Sequence, residues 1–305
     1  PRTASRSHIT GQSRSRIHII PINLILPQLF FYFSKRRERY HLSRRIRHTQ
    51  FQHIIDHPVA GLFVDMGMGK TVMTLTAFNY LKYYAWQIQR CLVIAPKKVA
   101  EATWRTEISG WQHLRHLRCS EVLGTATQRR AAMAVDADVY VMNRDNVQWL
   151  VKEYGKAWPF DMVVLDESSS FKNHQAKRFK ALRAMRPKIK RIVELTGTPS
   201  PHGLMDLWAQ VYLLDGGQRL GRTISVYRDM YFEPDKRSRS QIFTYKARRG
   251  AADAIYAAIS DICISLSSDD YLTLPDRIYD EIPVKLDGPA AAAYKRLERD
   301  ALLQV

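Results

Sequence analysis

The sequence predicts an α/β protein: a parallel sheet with helices on both faces, followed by a mostly helical extension. Short runs of aliphatic and β-branched residues alternate with longer segments of helical periodicity, which is the pattern of strand–helix–strand units. Each short run is apolar throughout, as expected of strands that are covered on both faces. The predicted strands span residues 61–65, 91–95, 139–142, 162–165 and 192–195.

Segments of helical periodicity lie between these strands and beyond them. Within the alternating region they cover residues 70–81, 99–111 and 127–134. Beyond it the pattern is helical and irregular, over residues 204–214, 224–232, 251–262 and 290–303. Residues 274–275 and 282–286 are expected to be an extended connector. The last helical pattern reaches the chain end without a capping residue, so it is interpreted as cut short.

These patterns divide the chain into four parts. Residues 1–50 form a basic and apolar lead-in that is expected to be disordered. The main α/β lobe spans residues 51–215, and a helical extension with its connector spans 216–285. Residues 286–305 are interpreted as the start of a truncated second part.

The charge of the chain favours a polyanionic partner. The formal net charge is +18, and eleven Lys and Arg residues against one acid place much of it in residues 1–50. The remainder is moderately basic, which suits nucleic acid without identifying it. The three cysteines, Cys91, Cys119 and Cys263, form no Cys-x-x-Cys pair. Their number and wide spacing indicate neither a disulfide framework nor a zinc site, which fits a reducing, intracellular compartment.

The lead-in contains a mostly apolar run at residues 17–33 with basic residues on both sides. Pro21 and Pro27 interrupt this run, which is short for a membrane span, and residues 35–37 are basic where a signal peptide would have a cleavage site. We therefore expect no membrane segment. Because the chain begins at Pro1, it is interpreted as a fragment.

Residues 61–71, Gly-Leu-Phe-Val-Asp-Met-Gly-Met-Gly-Lys-Thr, read as a strand, a glycine loop and a helix start. Gly67 and Gly69 allow backbone N–H groups to point at a phosphate, and the helix dipole favours an anion at the same place. Lys70 is expected to reach the β- and γ-phosphates, and Thr71 to place its hydroxyl on Mg²⁺. The strict phosphate-loop pattern has glycine where Val64 stands.

This segment predicts a nucleotide-binding site, and the alternative is a glycine-rich helix start without a ligand. The predicted cofactor-binding residues are Asp65, Met66, Gly67, Met68, Gly69, Lys70 and Thr71.

A second apolar run ends in two carboxylates, Asp166 and Glu167. Asp166 is placed to hold Mg²⁺ through water, together with Thr71. Glu167 is placed to orient or deprotonate the attacking water. Two acids also occur at strand ends without a catalytic role, but phosphoryl transfer needs both a phosphate loop and an acidic partner. Lys70, Asp166 and Glu167 are therefore the predicted catalytic residues.

The loop after the last predicted strand carries Thr196, Gly197 and Thr198. Both threonines have hydroxyl groups that can bond across to the acidic pair. We expect these three residues to couple the nucleotide site to the rest of the protein.

Polar residues also follow two other strands: Lys97 and Lys98 after the second, and Asn143 and Arg144 after the third. Such residues at one edge of a sheet can contact a phosphodiester backbone, which positions nucleic acid without reading its sequence. The alternative is a set of solvated turns. Trp104, in the following helix, is expected to be a core residue. A basic loop at residues 236–240 and the pair Arg248–Arg249 are further candidate contacts.

Four segments, taken in order, resemble motifs I, Ia, II and III of superfamily 2 helicases. They are Asp-Met-Gly-Met-Gly-Lys-Thr at 65–71, Ile-Ala-Pro-Lys at 94–97, Asp-Glu-Ser-Ser at 166–169 and Leu-Thr-Gly-Thr-Pro at 195–199. The sequence of the first segment, residues 65–71, and that of residues 195–208 resemble those of the Swi/Snf branch. Residues 143–146 and 166–172 resemble versions carried by bacteriophages. The resemblance covers about residues 52–300.

The resemblance implies a RecA-like lobe that binds ATP and Mg²⁺ and belongs to a translocase acting on DNA, duplex rather than single-stranded. It also implies a second RecA-like lobe, which is missing from this chain along with its arginine fingers. We therefore expect this chain alone to bind nucleotide and to hydrolyse it poorly, since such a finger contributes about 10³–10⁵ in rate. The implied setting is the cytoplasm of a bacterial or phage-infected host.

The sequence departs from the family pattern in two places. Ser169 stands where relatives often have histidine. Arg47 and His48 stand where the adenine-reading glutamine is expected, with Gln50 and Gln52 the nearest candidates. Two other functions stay open: a nucleotide-gated binding module without turnover, and an RNA helicase of the DEAD-box kind. Ser168 and Ser169 disfavour the latter because Ala-Asp would be expected there.

Overall fold

The computed structural model describes residues 44–235, 244–267 and 287–302. The described residues up to 267 belong to one compact unit, and helix α10 (Gly288–Leu302) belongs to a second. Residues 1–43 of the predicted lead-in, with their apolar run, lie outside the described residues, as do the basic loop at 236–240 and the connector segments 274–275 and 282–286. In the described part of the chain, no helix has the length and apolar character needed to cross a membrane.

The first unit is built on a sheet of seven parallel strands in the order β3–β4–β2–β5–β6–β1–β9. Five strands confirm the predicted ones: β1 (Val59–Val64), β2 (Cys91–Ala95), β4 (Val139–Asn143), β5 (Met162–Asp166) and β6 (Arg191–Thr196). The predicted α/β class with a parallel sheet is therefore confirmed.

The sequence did not predict the two edge strands, β3 (Cys119–Val122) and β9 (Cys263–Leu266). Both are four residues long and only partly buried, so they lack the continuous apolar run that identifies a strand covered on both faces. Within the region predicted to be helical, β7 (Phe232–Pro234) and β8 (Tyr245–Ala247) form a separate antiparallel pair.

Helices follow most strands of the sheet. In the first unit they are α1 (Arg44–Asp56), α2 (Lys70–Tyr83), α3 (Lys97–Gly110), α4 (Ala126–Ala134), α5 (Val147–Tyr154), α6 (Lys177–Met185), α7 (Leu207–Asp215), α8 (Ile224–Tyr231) and α9 (Ala251–Ile259). All seven predicted helices are present, α10 included. Helices α1, α5 and α6 were not predicted. Helix α1 corrects the expectation that residues 1–50 are disordered, because residues 44–50 form its first turns and bury Ile46 and Gln50.

Two apolar cores cover the two faces of the sheet. Alternate strand residues such as Val93 and Val164 pack with α1, α2 and α3. The intervening residues, such as Ile94 and Val163, pack with α5 to α9. This alternation explains why the strands are apolar throughout.

Strand β1 is fixed between β6 and β9. Gly61 faces Cys263 across the β1–β9 pair, and a Cβ atom at Gly61 would lie 2.5 Å from the Cys263 sulfur. Glycine is therefore required for β9 to approach. Because β9 falls within the predicted extension at 216–285, the sheet continues past the predicted lobe boundary at 215.

The parallel arrangement brings the carboxyl ends of the strands to one edge. Phe63 is the register partner of Thr196, Leu195 that of Asp166, and Ala95 that of Asn143. The loops that follow β1, β2, β4, β5 and β6 therefore meet along this edge, where ligands bind in open α/β sheets.

Candidate active site

The loop between β1 and α2 has the backbone of an anion site. Gly67 and Gly69 have φ angles of +79° and +74°, in the left-handed region where glycine is favoured. Gly69 is the residue before α2, and no side chain caps this helix end. The first turn of α2 also contains no acidic residue. The first N–H groups of α2 and the helix dipole are thus available to an anion.

Lys70 lies at the start of α2 with its ammonium group turned back onto the loop. Its Nζ atom donates to the Val64 carbonyl and, at 3.0 Å, to the Asp65 carbonyl. Burial lowers the pKa of Lys70, and the nearby carboxylates of Asp166 and Glu167 partly offset this effect. A partly buried cation bonded to neutral carbonyls is well suited to exchange them for phosphate oxygens.

A cavity of about 290 Å³ joins the loop to the acidic pair. It is lined by Met66, Gly67, Gly69, Lys70, Thr71, Val72, Pro96, Val99, Thr103, Glu107, Asp166 and Glu167. Five of the seven predicted cofactor-binding residues and all three predicted catalytic residues therefore line one cavity. Asp65 and Met68 are outside this lining: Asp65 contributes its carbonyl to Lys70, and the Met68 side chain is fully buried in the core.

Gln50, on helix α1, holds the phosphate loop through a hydrogen bond. The buried Gln50 side chain donates from Nε2 to the Met68 carbonyl at 2.9 Å. Gln52 instead donates to Asp56 within the same helix, at 2.7 Å. Of the two candidates for reading adenine, only Gln50 therefore touches the phosphate loop.

Asp166 ends β5 and is held by a tryptophan. The indole Nε1 of Trp104, on α3, donates to Asp166 Oδ2 at 2.8 Å. Burial raises the pKa of Asp166, while the Trp104 hydrogen bond and the charge of Lys70 act in the opposite direction. Trp104 is fully buried, as predicted for a core residue, but no sequence pattern indicated its hydrogen bond to Asp166.

Glu167 has an uncommon backbone conformation, with φ +59° and ψ +64°. A non-glycine residue in this left-handed region costs about 1 kcal/mol or more and is typically found where function requires it. Its Oε1 accepts from the Ser169 hydroxyl at 2.6 Å and from the Thr196 hydroxyl at 2.8 Å. The carboxylate is therefore fixed by two donors on separate loops.

The predicted coupling residues lie against both halves of the site. Thr196 bonds to Glu167, whereas Thr198 bonds to Thr196 through its backbone N–H at 3.1 Å and not to the acidic pair. The Cα atom of Gly197 is close to the phosphate loop, since a Cβ there would lie 3.6 Å from the Val64 carbonyl.

A buried polar pair extends this network to α7, and the sequence analysis missed it. The Ser168 hydroxyl donates to Gln210 Oε1 at 2.8 Å, and Gln210 Nε2 donates to the Pro199 carbonyl at 2.6 Å. Gln210 thus links the loops after β5 and β6. The available signal was a glutamine within an otherwise apolar helix, since such a buried amide needs partners.

The predicted nucleic-acid residues lie at the same sheet edge but do not line the cavity. Lys97 and Lys98 are exposed in the first turn of α3, and Lys97 Nζ is 3.8 Å from a carboxylate oxygen of Glu101. Asn143 accepts from the backbone N–H of Asp145 at 3.3 Å, and Arg144 starts the following turn.

Both arginines of the pair after β8 are exposed. Arg248 also donates to the Phe232 carbonyl at 2.9 Å and thus supports the β7–β8 hairpin.

The donors in the cavity suit Mg²⁺. The Thr71 hydroxyl and the Asp166 carboxylate offer hard oxygen ligands, and both residues line the same cavity. In the described residues no group of three or more His, Cys, Asp or Glu side chains is arranged to hold a metal. A magnesium ion here would thus depend on phosphate oxygens and water for its other ligands, which is its usual mode beside nucleotides.

Comparison with known proteins agrees with this geometry. Residues 44–304 match the family model of the SNF2-related domain. A phage protein called p41, from Acyrthosiphon pisum secondary endosymbiont phage 1, is 36% identical over 268 residues, covering 86% of this chain and 58% of the phage protein. The mouse SWI/SNF-related matrix-associated actin-dependent regulator of chromatin subfamily A member 1 is 28% identical over 167 residues, covering 53% of this chain and 15% of that protein.

A similar solved structure is the Sulfolobus solfataricus SWI2/SNF2 ATPase core in complex with dsDNA. The two share 25% sequence identity with a TM-score of 0.61, over 85% of this chain and 53% of that one. This chain thus spans less than two thirds of the length of each of these proteins.

Proposed function

Because the chain belongs to the SNF2-related domain family, whose members are ATPases, we propose that it is the ATP-binding lobe of a motor that couples ATP hydrolysis to movement on duplex DNA. The observation that carries this proposal is the cavity in which Lys70, Asp166 and Glu167 meet. It combines a phosphate loop with an acidic pair, and phosphoryl transfer requires both.

The proposed binding step exchanges hydrogen bonds at Lys70. The phosphates of ATP would accept from the loop N–H groups and the start of α2, and Lys70 Nζ would leave the Val64 and Asp65 carbonyls for phosphate oxygens. Thr71 and Asp166 would hold Mg²⁺, whose charge offsets that of the phosphates when it is bound.

In the proposed hydrolysis step, Glu167 orients the attacking water and accepts its proton. Both of its hydroxyl donors, on Ser169 and Thr196, bond to Oε1. Oε2 is therefore the oxygen that would face the water. The Thr196 bond makes the position of Glu167 sensitive to the loop after β6, which is the basis of the proposed coupling role of Thr196, Gly197 and Thr198.

DNA is proposed to lie along the edge that carries Lys97, Lys98, Asn143 and Arg144. These groups suit phosphate contacts, which give affinity without sequence preference. The Sulfolobus relative was solved with double-stranded DNA, which supports duplex DNA as the partner. The phage relative supports the cytoplasm of a bacterial or phage-infected cell as the setting.

The proposal is tested by ATP hydrolysis with and without duplex DNA. Since we expect a second lobe to be needed for rapid turnover, the protein encoded by the whole reading frame should be used. Duplex DNA is expected to accelerate hydrolysis, and Lys70→Ala to lower the rate about 10²-fold or more by removing a donor from the developing phosphate charge. Lys152→Ala, an exposed lysine on α5, is the matched control and should leave the rate unchanged.

The same assay separates the alternatives. Measurable ATP binding without stimulation by any nucleic acid would refute the motor and favour a nucleotide-gated binding module. Stimulation by single-stranded RNA alone would favour an RNA helicase.

A further inference from the structure

Helix α3 connects three parts of the proposed motor. Its first turn carries Lys97 and Lys98, which face solvent. One side of the helix, with Val99, Thr103 and Glu107 spaced four residues apart, lines the nucleotide cavity. The adjacent side is buried against the sheet. A displacement of α3 would therefore move residues that line the nucleotide cavity.

Trp104 is the polar anchor of this buried side. Its ring has no exposed surface, and its Nε1 donates to Asp166 Oδ2 at 2.8 Å. A hydrogen bond to a carboxylate is stronger than one between neutral groups, and the low polarity around Trp104 strengthens it further. Two helical turns, about 10 Å, separate Trp104 from Lys97 along α3. No loop intervenes to absorb movement between them.

We propose that Trp104 is a positioning residue that orients the Asp166 carboxylate and passes movement of α3, when its basic first turn engages a phosphodiester backbone, to that carboxylate. This inference rests on the proposed function. Its role goes beyond packing, since phenylalanine would fill most of the same space but would leave Oδ2 without its donor. Groups that orient a metal ligand in this way typically change metal affinity or activity 10–100-fold when they are removed.

The test compares Trp104→Phe with Trp208→Phe in the full-length encoded protein. Trp208, on α7, is also buried and donates its indole N–H at 2.9 Å, but its acceptor is the Gly221 carbonyl and not a carboxylate. Both changes therefore remove the same ring portion and one hydrogen bond. The readouts are the Mg²⁺ concentration for half-maximal ATP hydrolysis and the fold-stimulation by duplex DNA.

Trp104→Phe is expected to raise the half-maximal Mg²⁺ concentration about 10-fold or more and to reduce the stimulation by DNA, with the KM for ATP changed less than about threefold. Trp208→Phe should keep both readouts within about twofold of wild type. A folded Trp104→Phe variant with wild-type Mg²⁺ dependence and stimulation would overturn the inference. Wild-type protein that is not stimulated by DNA would instead refute the proposed function, and with it the coupling part of this inference.

A second measurement does not require the Trp104 variant to fold. The ¹⁵N indole resonance of Trp104, assigned by elimination from Trp→Phe variants of the other tryptophans, is followed as ADP and then Mg²⁺ are added. The resonance is expected to shift further when Mg²⁺ joins ADP. A resonance that does not move, while calorimetry shows that Mg²⁺ and ADP bind, would contradict the role of Trp104.

Discussion

Glu194 is a carboxyl group buried in the middle of β6, and replacing it with glutamine should change how stability depends on pH. The side chain has no exposed surface, and neither oxygen accepts a well-formed hydrogen bond from a described residue. The neighbouring Ser168 hydroxyl donates its proton to Gln210 instead. Burial raises the pKa of Glu194 well above its ordinary value of 4.5, and the nearby Ser168 hydroxyl and the charge of Arg186 only partly offset this.

The sign of the effect follows from proton linkage. Between pH 4.5 and the raised pKa, the folded protein holds a proton on Glu194 that the unfolded chain releases. Stability therefore falls as pH rises through this window, by up to about 1.4 kcal/mol per pH unit for one group. The fall ends where the pH reaches the raised pKa, so every two pH units inside this window correspond to at most about 2.7 kcal/mol. Glu194→Gln removes the titrating proton while keeping the shape, so this part of the slope should disappear and the variant should be more stable than wild type at pH 8.

The assay is urea unfolding at pH 5, 6, 7 and 8, comparing wild type, Glu194→Gln and Glu233→Gln. Glu233 is exposed on β7 and serves as the matched control, for which the pH dependence should equal that of wild type. The difference in unfolding free energy between wild type and Glu194→Gln should grow with pH. A difference that does not grow anywhere between pH 5 and pH 8, or that shrinks, would refute the reasoning that burial raises the pKa of Glu194 in the folded protein.

Three further changes test the packing. Arg191→Ala should destabilise the protein by about 3 kcal/mol in urea unfolding, because Arg191 donates to three backbone carbonyls in and just after the last turn of α1. Lys190→Ala, which removes an exposed lysine from an ion pair, should cost less than about 1 kcal/mol. Similar losses for both would contradict this. Gly61→Ala should lower the thermal stability by about 1–3 kcal/mol through its clash with Cys263, and an unchanged melting temperature would contradict the tight β1–β9 contact. Thr125→Ala should cost about 1 kcal/mol by removing the N-terminal cap of α4, with no change in ATP binding; a change in ATP binding would argue against a purely structural role.

The sequence was sufficient for the parts of the site that are contiguous in the chain. The phosphate loop and the acidic pair can each be predicted from a short segment, because strand, loop and functional group follow one another within a few residues. The five central strands were equally clear, since burial on both faces makes them apolar throughout. The edge strands β3 and β9 were not predicted, because partial burial weakens that apolar pattern.

The contacts that tie the site together could not be predicted, because they join residues far apart in the chain. Trp104 and Asp166 are separated by 62 positions, and Ser168 and Gln210 by 42. Both contacts depend on where α3 and α7 pack on the sheet, which the local pattern does not determine. The expectation that Thr198 would reach the acidic pair needed the same information, and the structure bonds it to Thr196 instead.

Movement on duplex DNA is tested most directly by displacement of a third strand from a DNA triplex by the full-length encoded protein. The account predicts that the third strand is released when ATP is present. Release should be absent with a non-hydrolysable ATP analogue and with Glu167→Gln, which retains the cavity but lacks the proposed base. No release by wild type, under conditions in which duplex DNA accelerates its ATP hydrolysis, would contradict the proposal that this lobe drives movement along DNA.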